Sequence, residues 1–223
     1  MGCRLYWTYA ELFKTTGDKK YEDVLTSINI DEVPGLLEWK EVGEYGFYAY
    51  VTSKAHSNED LYRAAYKRLA DHVESIVKSI EKDPYGYSMD GHYYWGCNMG
   101  VANDAMLMLM MDNFEGTNKY MGYVETLVSY LFGNNPNSTC YLTGVGSNPA
   151  CHPHHRPSAA LGKPMPGMLV GGPEPLLLDD HMKANFTGAA KAKCYSDVTE
   201  SYSTNEITIY WNSPLVFVLQ SLV

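Results

Sequence analysis

The chain has 223 residues, 45% of them hydrophobic and 13% aromatic, which is enough apolar material for one large domain or two small ones and excludes a disordered chain. Its 17 basic and 26 acidic residues give a net charge of -9, so nucleic acid phosphates and anionic membrane surfaces would be repelled. No apolar run approaches the ~20 residues of a membrane span, and we expect neither nucleic acid nor a membrane as partner.

The first segment predicts a pair of helices. Residues 4–16 carry apolar side chains on a helical period, Gly17-Asp18 interrupts it, and Tyr21–Ile28 resumes it. A similar turn returns later, where Gly116-Thr117-Asn118-Lys119-Tyr120 shares the pattern Gly-x-x-Lys-Tyr with the residues from Gly17. The two turns predict a divergent internal repeat of helical hairpins.

Two more helical pairs follow the first. The pattern predicts helices over Glu44–Lys54 and Asn58–Lys82, then over 97–113, where apolar residues on nearly all sides indicate a buried inner helix. A further helix-like segment follows the turn that ends at Tyr120 and completes the third pair. Three hairpins therefore stand in series within residues 1–132. The first helix begins at the first residue with no capping residue before it, so we expect an array that is cut at its front end.

Residues 133–202 are rich in Asn, Pro and Gly and show no lasting period, and such long irregular segments are usually functional. They contain Cys151, His152, His154, His155 and Arg156 on a loop stiffened by prolines. One interpretation is a zinc site that uses these cysteine and histidine side chains with a further ligand such as Cys194. A second is a set of polar donors that grips substrate hydroxyls, and a third is an ordinary solvated loop.

The last segment, 203–223, predicts a closing helix over Asn205–Leu222. Ser203 and Glu206 have the spacing of a capping box at its start, and a helix dipole there would favour ionised Glu206. The capping box does not explain why aromatic residues surround the two carboxylates Asp197 and Glu206. Aromatic walls exclude water, which favours the protonated form that a general acid needs. The aromatic residues concerned are Tyr195, Tyr202, Tyr210 and Trp211.

These two segments together resemble the two active-site signatures of glycoside hydrolase family 9, the cellulase family made chiefly of endo-1,4-beta-glucanases. Residues 143–156 match the histidine signature, with Cys140 departing at one outer position. The second signature is matched by Tyr195, Asp197, Tyr202, Glu206, Thr208 and Asn212-Ser213. Trp95-Gly96-Cys97-Asn98, the Gly-Asp-Lys-Lys-Tyr turn and Gly167–Pro173 also resemble family landmarks, so the similarity spans the whole chain.

The resemblance implies a fold, a reaction and a set of roles. The fold is an all-α (α/α)6 toroid, of which three hairpins and a closing helix are about half. Glu206 would be the general acid, with His154 and Asp197 also catalytic, while Arg156, Trp95, Trp211 and Tyr202 would bind a beta-glucan such as cellulose. The reaction inverts the configuration at the anomeric carbon, and a second carboxylate roughly 6.5 to 9.5 Å from the acid activates water.

The chain departs from the family at that second carboxylate. The family's base lies in an Asp-Ala-Gly-Asp motif that is absent from these residues, so we expect an incomplete site and a missing N-terminal half as partner. Asp179-Asp180 is a weak substitute, expected instead to be solvated or to bind a cation. A non-catalytic glucan-binding fragment and a metal-organised structural module remain alternatives.

The resemblance also bears on cofactors and location. It implies no required cofactor, a possible structural calcium ion and an extracellular location. The N-terminus itself does not have the pattern of a secretion signal.

Overall fold

The structure, a computed structural model, describes residues 2–223; Met1, the first residue of the predicted hairpin region, lies outside the described residues. The predicted all-α class is confirmed. The helices are α1 Gly2–Thr16, α2 Lys19–Ser27, α3 Gly43–Val51, α4 Glu59–Lys82, α5 Cys97–Glu115, α6 Met121–Leu131, α7 Arg156–Leu161, α8 Asp180–Phe186, α9 Tyr202–Asn205 and α10 Ile209–Ser221. Two short strands, β1 Cys140–Thr143 and β2 Pro149–Ala150, pair in parallel, and 3-10 turns cover Ile30–Glu32 and Lys191–Lys193.

The chain forms two compact units, and the first ends at Ser75. Its core is an aromatic contact between α1 and α3, where the Tyr6 and Phe47 rings lie 5.3 Å apart and Phe13 and Tyr50 5.7 Å apart. Gly46 permits this approach, because a Cβ there would come within 2.8 Å of the Tyr6 ring. The apolar faces of α1 and α3 thus bury each other in one helix pair.

A buried carboxylate ties α2 to the segment before α4. Glu22 is 1% exposed, and its two oxygens accept hydrogen bonds from the Ser57 amide and hydroxyl, the Asn58 amide and the Tyr50 hydroxyl, at 2.5 to 3.1 Å. These four bonds lower the pKa of Glu22 to about 2, although burial alone would raise it. Folding of the first unit therefore favours the ionised form of the Glu22 carboxylate.

The second unit begins at Ile76 and is built around α5. The buried inner helix predicted for 97–113 is confirmed, since almost every residue of α5 from Cys97 to Asp112 is buried. α6 and α10 pack against it. Because α5 is covered on nearly all sides, its N-terminus is held rigidly, and the residues just before it are positioned with it.

The repeated turn of the sequence is also a structural repeat. Gly17 and Gly116 end α1 and α5 with φ of 68° and 67°, a left-handed conformation that glycine adopts without strain. Near each glycine a carboxylate accepts amide hydrogens of the following segment, from the residue after Gly17 in the first turn and from within α5 in the second. Asp18 accepts from Lys20, and Asp112 accepts from Lys119 and Tyr120.

The predicted closing helix begins later than expected. α10 starts at Ile209, where the Thr208 hydroxyl accepts a hydrogen bond from the Trp211 amide at 3.3 Å. The prediction of a capping box from Ser203 and Glu206 is therefore wrong. Ser203 lies inside the short α9, and Glu206 follows it in an extended conformation. None of the helices within residues 2–223 combines the length and apolarity needed to cross a bilayer.

Candidate active site

Backbone hydrogen bonds bring the two signature segments side by side. The Val170 amide donates to the Tyr141 carbonyl at 3.0 Å, and the Gly171 amide donates to the Glu206 carbonyl at 3.1 Å. The His154 amide also donates directly to the Asn205 carbonyl at 2.8 Å. His154 and Glu206 thus form a parallel bridge, although they are far apart in sequence.

Close backbone approaches at glycines bring the start of α5 to the same place. The Asn98 amide donates to the Gly171 carbonyl at 3.1 Å, and a Cβ on Gly172 would lie 2.5 Å from Asn98 Oδ1. A Cβ on Gly96, whose φ is +91°, would lie 2.7 Å from the Trp211 ring. Only glycines admit this packing. It places Trp95, the residue before Gly96, beside Glu206.

Trp211 has a different role from the predicted one. It is 3% exposed and packs under Gly96 and Gly171, where it supports the backbone of the site. A sugar ring stacks only on an accessible indole face, so the expectation that Trp211 stacks on substrate is corrected. Tyr195 is buried too and lies near Asp197, whereas Tyr210 is exposed on α10.

Glu206 lies in a partly exposed aromatic corner. Its Oε2 accepts a hydrogen bond from Trp95 Nε1 at 3.0 Å, and Trp95 is 39% exposed. The Tyr202 ring lies 5.4 Å from the Trp95 ring and 6.0 Å from the His154 ring. One oxygen of the carboxyl group is therefore oriented by an indole N–H, and three aromatic rings lie next to one another beside it.

Asp197 organises the loop of residues 151–156, which we call the histidine loop. Its Oδ2 accepts the Cys151 amide at 2.7 Å, while Oδ1 accepts the His152 amide at 2.9 Å and Asn205 Nδ2 at 3.0 Å. The Tyr195 hydroxyl donates to Asn205 Oδ1 at 2.9 Å, and burial raises the pKa of Tyr195 well above its ordinary value. The carboxylate thus binds two consecutive loop amides and holds the loop against α9.

Asp197→Asn is expected to destabilise the second unit by about 1–3 kcal/mol, because an amide NH2 group would face one of the loop amide donors. Chemical denaturation followed by tryptophan fluorescence measures this change. The matched control is Asp180→Asn, at a fully exposed side chain, which should change the free energy of unfolding by less than about 0.5 kcal/mol. Equal denaturation midpoints for the two variants would contradict the positioning role.

The histidine loop presents His154 and Arg156 outward. His154 is exposed, and its Nδ1 lies 2.6 Å from the Thr199 carbonyl oxygen. A carbonyl only accepts, so Nδ1 carries the proton, and Nε2 of the neutral ring is an acceptor. Arg156 is exposed at the first residue of α7. Both side chains remain available to substrate hydroxyl groups.

The metal interpretation of the loop finds no support. His155 Nδ1 contacts the Ser158 hydroxyl at 2.9 Å, and the Asp197 contacts hold the loop from its backbone. Across residues 2–223, no three side chains of His, Cys, Asp or Glu converge as a metal-binding group. The alternative of a zinc site built on Cys151, His152, His154 and His155 is therefore not supported within those residues.

Asp179 is a structural residue that sequence reasoning missed. The sequence suggested a solvated or cation-binding pair, but Asp179 is 1% exposed and accepts hydrogen bonds from Ser201, Ser203 and the Met182 amide. Burial alone would raise its pKa, and these bonds lower it below the ordinary value. Asp180 is fully exposed. Its contact with the Met182 amide is the local N-cap of α8, but Ser201 and Ser203 lie more than twenty residues away, where no local pattern reveals them.

Comparisons with known proteins identify the family of the chain. The model of glycosyl hydrolase family 9 matches residues 4–219. Endoglucanase D of Acetivibrio thermocellus is 31% identical over 97% of this chain, and a xyloglucan-specific endo-beta-1,4-glucanase of Bacteroides ovatus is 30% identical over 97%. A thermostable endoglucanase from Alicyclobacillus acidocaldarius superposes with a TM-score of 0.91 and 37% identity over 98% of this chain.

The match covers only part of these relatives. The chain spans 33% of the A. thermocellus enzyme and 38% of the B. ovatus enzyme. It covers 42% of the A. acidocaldarius chain.

Proposed function

Because the chain belongs to glycosyl hydrolase family 9, we propose that it takes part in hydrolysing the beta-1,4-glucosidic bonds of cellulose or a related beta-glucan, with Glu206 as the general acid. The observation that carries the proposal is the position of Glu206. Its carboxyl group lies in an accessible aromatic corner, oriented by Trp95 and bridged through the backbone to the histidine loop. An acid must reach the glycosidic oxygen while it is held in one geometry.

The proposed step is an inverting displacement. Glu206 donates its proton to the glycosidic oxygen as the bond from that oxygen to the anomeric carbon breaks. A water molecule forms the new bond from the opposite face of the ring and loses its proton to a carboxylate base. The Trp95 N–H, a donor only, binds the carboxyl oxygen that does not carry the proton.

The other carboxylates of this region do not fit the role of base. Asp197 and Asp179 are engaged by backbone amides and hydroxyls, and Asp180 is exposed on α8. We infer that the base is supplied from outside these residues, as the absence of Asp-Ala-Gly-Asp predicts. Asp197 then acts as a positioning residue, and His154 and Arg156 bind sugar hydroxyls around the reacting bond.

The proposed partner is the remainder of a family 9 domain. α10 supports this proposal, because large apolar side chains stand exposed along it: Ile209 is 91%, Val216 66% and Phe217 44% exposed. They continue into a cavity of about 540 Å³ that reaches His155 and Ile207, the residue after Glu206. An apolar face of this size beside the proposed acid is suited to a protein partner.

Trp95 offers a test of glucan binding by the full chain. Trp95→Ala is expected to weaken cellotetraose binding about tenfold, because the indole face that stacks on a sugar ring is lost. Isothermal titration calorimetry measures the dissociation constant. Trp95→Phe is the matched control, since it keeps a smaller aromatic face and loses the N–H donor, so it should bind within about threefold of the parent.

Calorimetry measures binding alone, so a separate assay of reducing ends addresses catalysis and the alternative of a non-catalytic glucan-binding fragment. Equal binding by the parent and Trp95→Ala would remove Trp95 from the substrate site. Release of reducing ends from carboxymethylcellulose by the 223-residue chain alone would show that the base lies within it and overturn that part of the proposal.

A further inference from the structure

A short loop beside the proposed acid exposes leucine side chains. We call residues Glu174–Asp179 the leucine loop; within it Leu176 is 72% and Leu178 is 42% exposed. Leu177, between them, has φ of +53°, a left-handed conformation that is uncommon for a residue other than glycine. Strained backbone of this kind persists where surrounding structure enforces it, and it concentrates at functional sites.

Two buried carboxylates enforce the shape of the leucine loop. The Glu174 side chain is 0% exposed, and its oxygens accept the amides of Leu176 at 2.7 Å and Leu178 at 3.0 Å. At the other end, Asp179 is held by the hydroxyls of Ser201 and Ser203. These hydrogen bonds thus hold the loop in a conformation that leaves the side chains of Leu176 and Leu178 exposed to solvent, although burying them would be favourable.

A hydrogen bond joins the leucine loop to the aromatic corner. The Tyr202 hydroxyl donates to the Leu178 carbonyl at 3.0 Å, and the Tyr202 ring lies 5.4 Å from the Trp95 ring. Trp95 in turn contacts Glu206. The Tyr202 hydroxyl thus joins the backbone of the leucine loop to the aromatic corner that contains Trp95 and Glu206.

We propose that the leucine loop is a substrate-binding wall, on which Leu176 and Leu178 contact the C–H face of a glucosyl unit next to the one at Trp95. The proposal rests on the proposed function, because it extends the same site. Pyranose rings present apolar C–H faces between their equatorial hydroxyl groups, and aliphatic side chains bury such faces without competing for hydrogen bonds. A preformed, braced wall also binds at a lower entropic cost than a mobile loop.

Methyl NMR of the full chain tests this contact directly. With leucine methyl groups labelled, millimolar cellotetraose is expected to shift the signals of Leu176 and Leu178 together with the indole N–H of Trp95. The signal of Leu12 on α1, a leucine of similar exposure to Leu178, should not move. If the Trp95 signal shifts and the leucine loop signals do not, the wall is overturned while the glucan site stands. If none of these signals shifts, both proposals fail.

Variants check the size of the contribution. The double variant Leu176→Ser/Leu178→Ser is expected to weaken cellotetraose binding about fivefold, since two partly buried apolar contacts are lost. Leu12→Ser is the matched control and should bind like the parent. All three leucines are exposed, so the fold should tolerate these substitutions, and thermal denaturation verifies this. Equal affinity of the double variant and the control would overturn the proposal.

Discussion

Glu206→Gln is expected to lower hydrolysis of carboxymethylcellulose by about 10²- to 10⁴-fold, the contribution of a positioned general acid. Glutamine keeps the shape of the side chain and an oxygen that can accept from Trp95, but it has no proton to give to the leaving glycosidic oxygen. The parent for this measurement is a chimaera in which the present chain replaces the matching 42% of the A. acidocaldarius endoglucanase. That chimaera contains the part of a family 9 enzyme that this chain does not match.

The leaving group distinguishes an acid from a structural residue. A dinitrophenyl beta-cellobioside departs without protonation, so Glu206→Gln should hydrolyse it at a rate close to that of the parent chimaera. The matched control is Glu200→Gln, at an exposed glutamate nearby, which should leave both activities intact. If Glu206→Gln lowers the rate of hydrolysis of both substrates equally, the acid role is contradicted.

Glu22→Gln is expected to lower the free energy of unfolding of the first unit by about 3 kcal/mol. The glutamine amide would place an NH2 group against donors from Ser57, Asn58 or Tyr50 that now bind the carboxylate. Urea denaturation at neutral pH measures this loss. Asp23→Asn is the control; Asp23 is 64% exposed and pairs only at the surface with Lys19, so little change is expected.

The same carboxylate gives the first unit an acid-dependent stability. The pKa of Glu22 falls from an ordinary value of 4.5 to about 2 on folding, so its stabilisation is fully present above about pH 4.5 and is lost as the pH falls towards 2. The stability difference between the parent and Glu22→Gln should therefore shrink over this range. A difference that stays constant from pH 6 to about pH 2 would contradict the assignment.

Much of the helical part of the fold could be predicted because its signals are local. The apolar period of 58–82 and the all-round apolar character of 97–113 agree with α4 and α5 within about two residues. The Gly-x-x-Lys-Tyr repeat identified two turns that share the same glycine conformation. Each of these features depends on neighbours within one or two helical turns.

The candidate site could be predicted only in part. Motif matching identified Glu206, His154 and Trp95, which the structure brings together, but it did not distinguish the accessible Trp95 from the buried Trp211. The spacing of Ser203 and Glu206 suggested a helix cap, yet the Ser203 hydroxyl binds Asp179 instead. Tertiary partners overrode the local capping preference at this point.

The amino-acid sequence by itself determined the helix pairs, the family and the identity of the proposed acid, since periodicity and motif spacing are properties of the chain. Only the tertiary structure decided which side chains are accessible and which brace the backbone. Trp211 packs under glycines, Asp197 binds loop amides and Glu174 shapes the leucine loop through contacts with other segments. Burial and hydrogen bonding between distant segments exist only once the chain has folded.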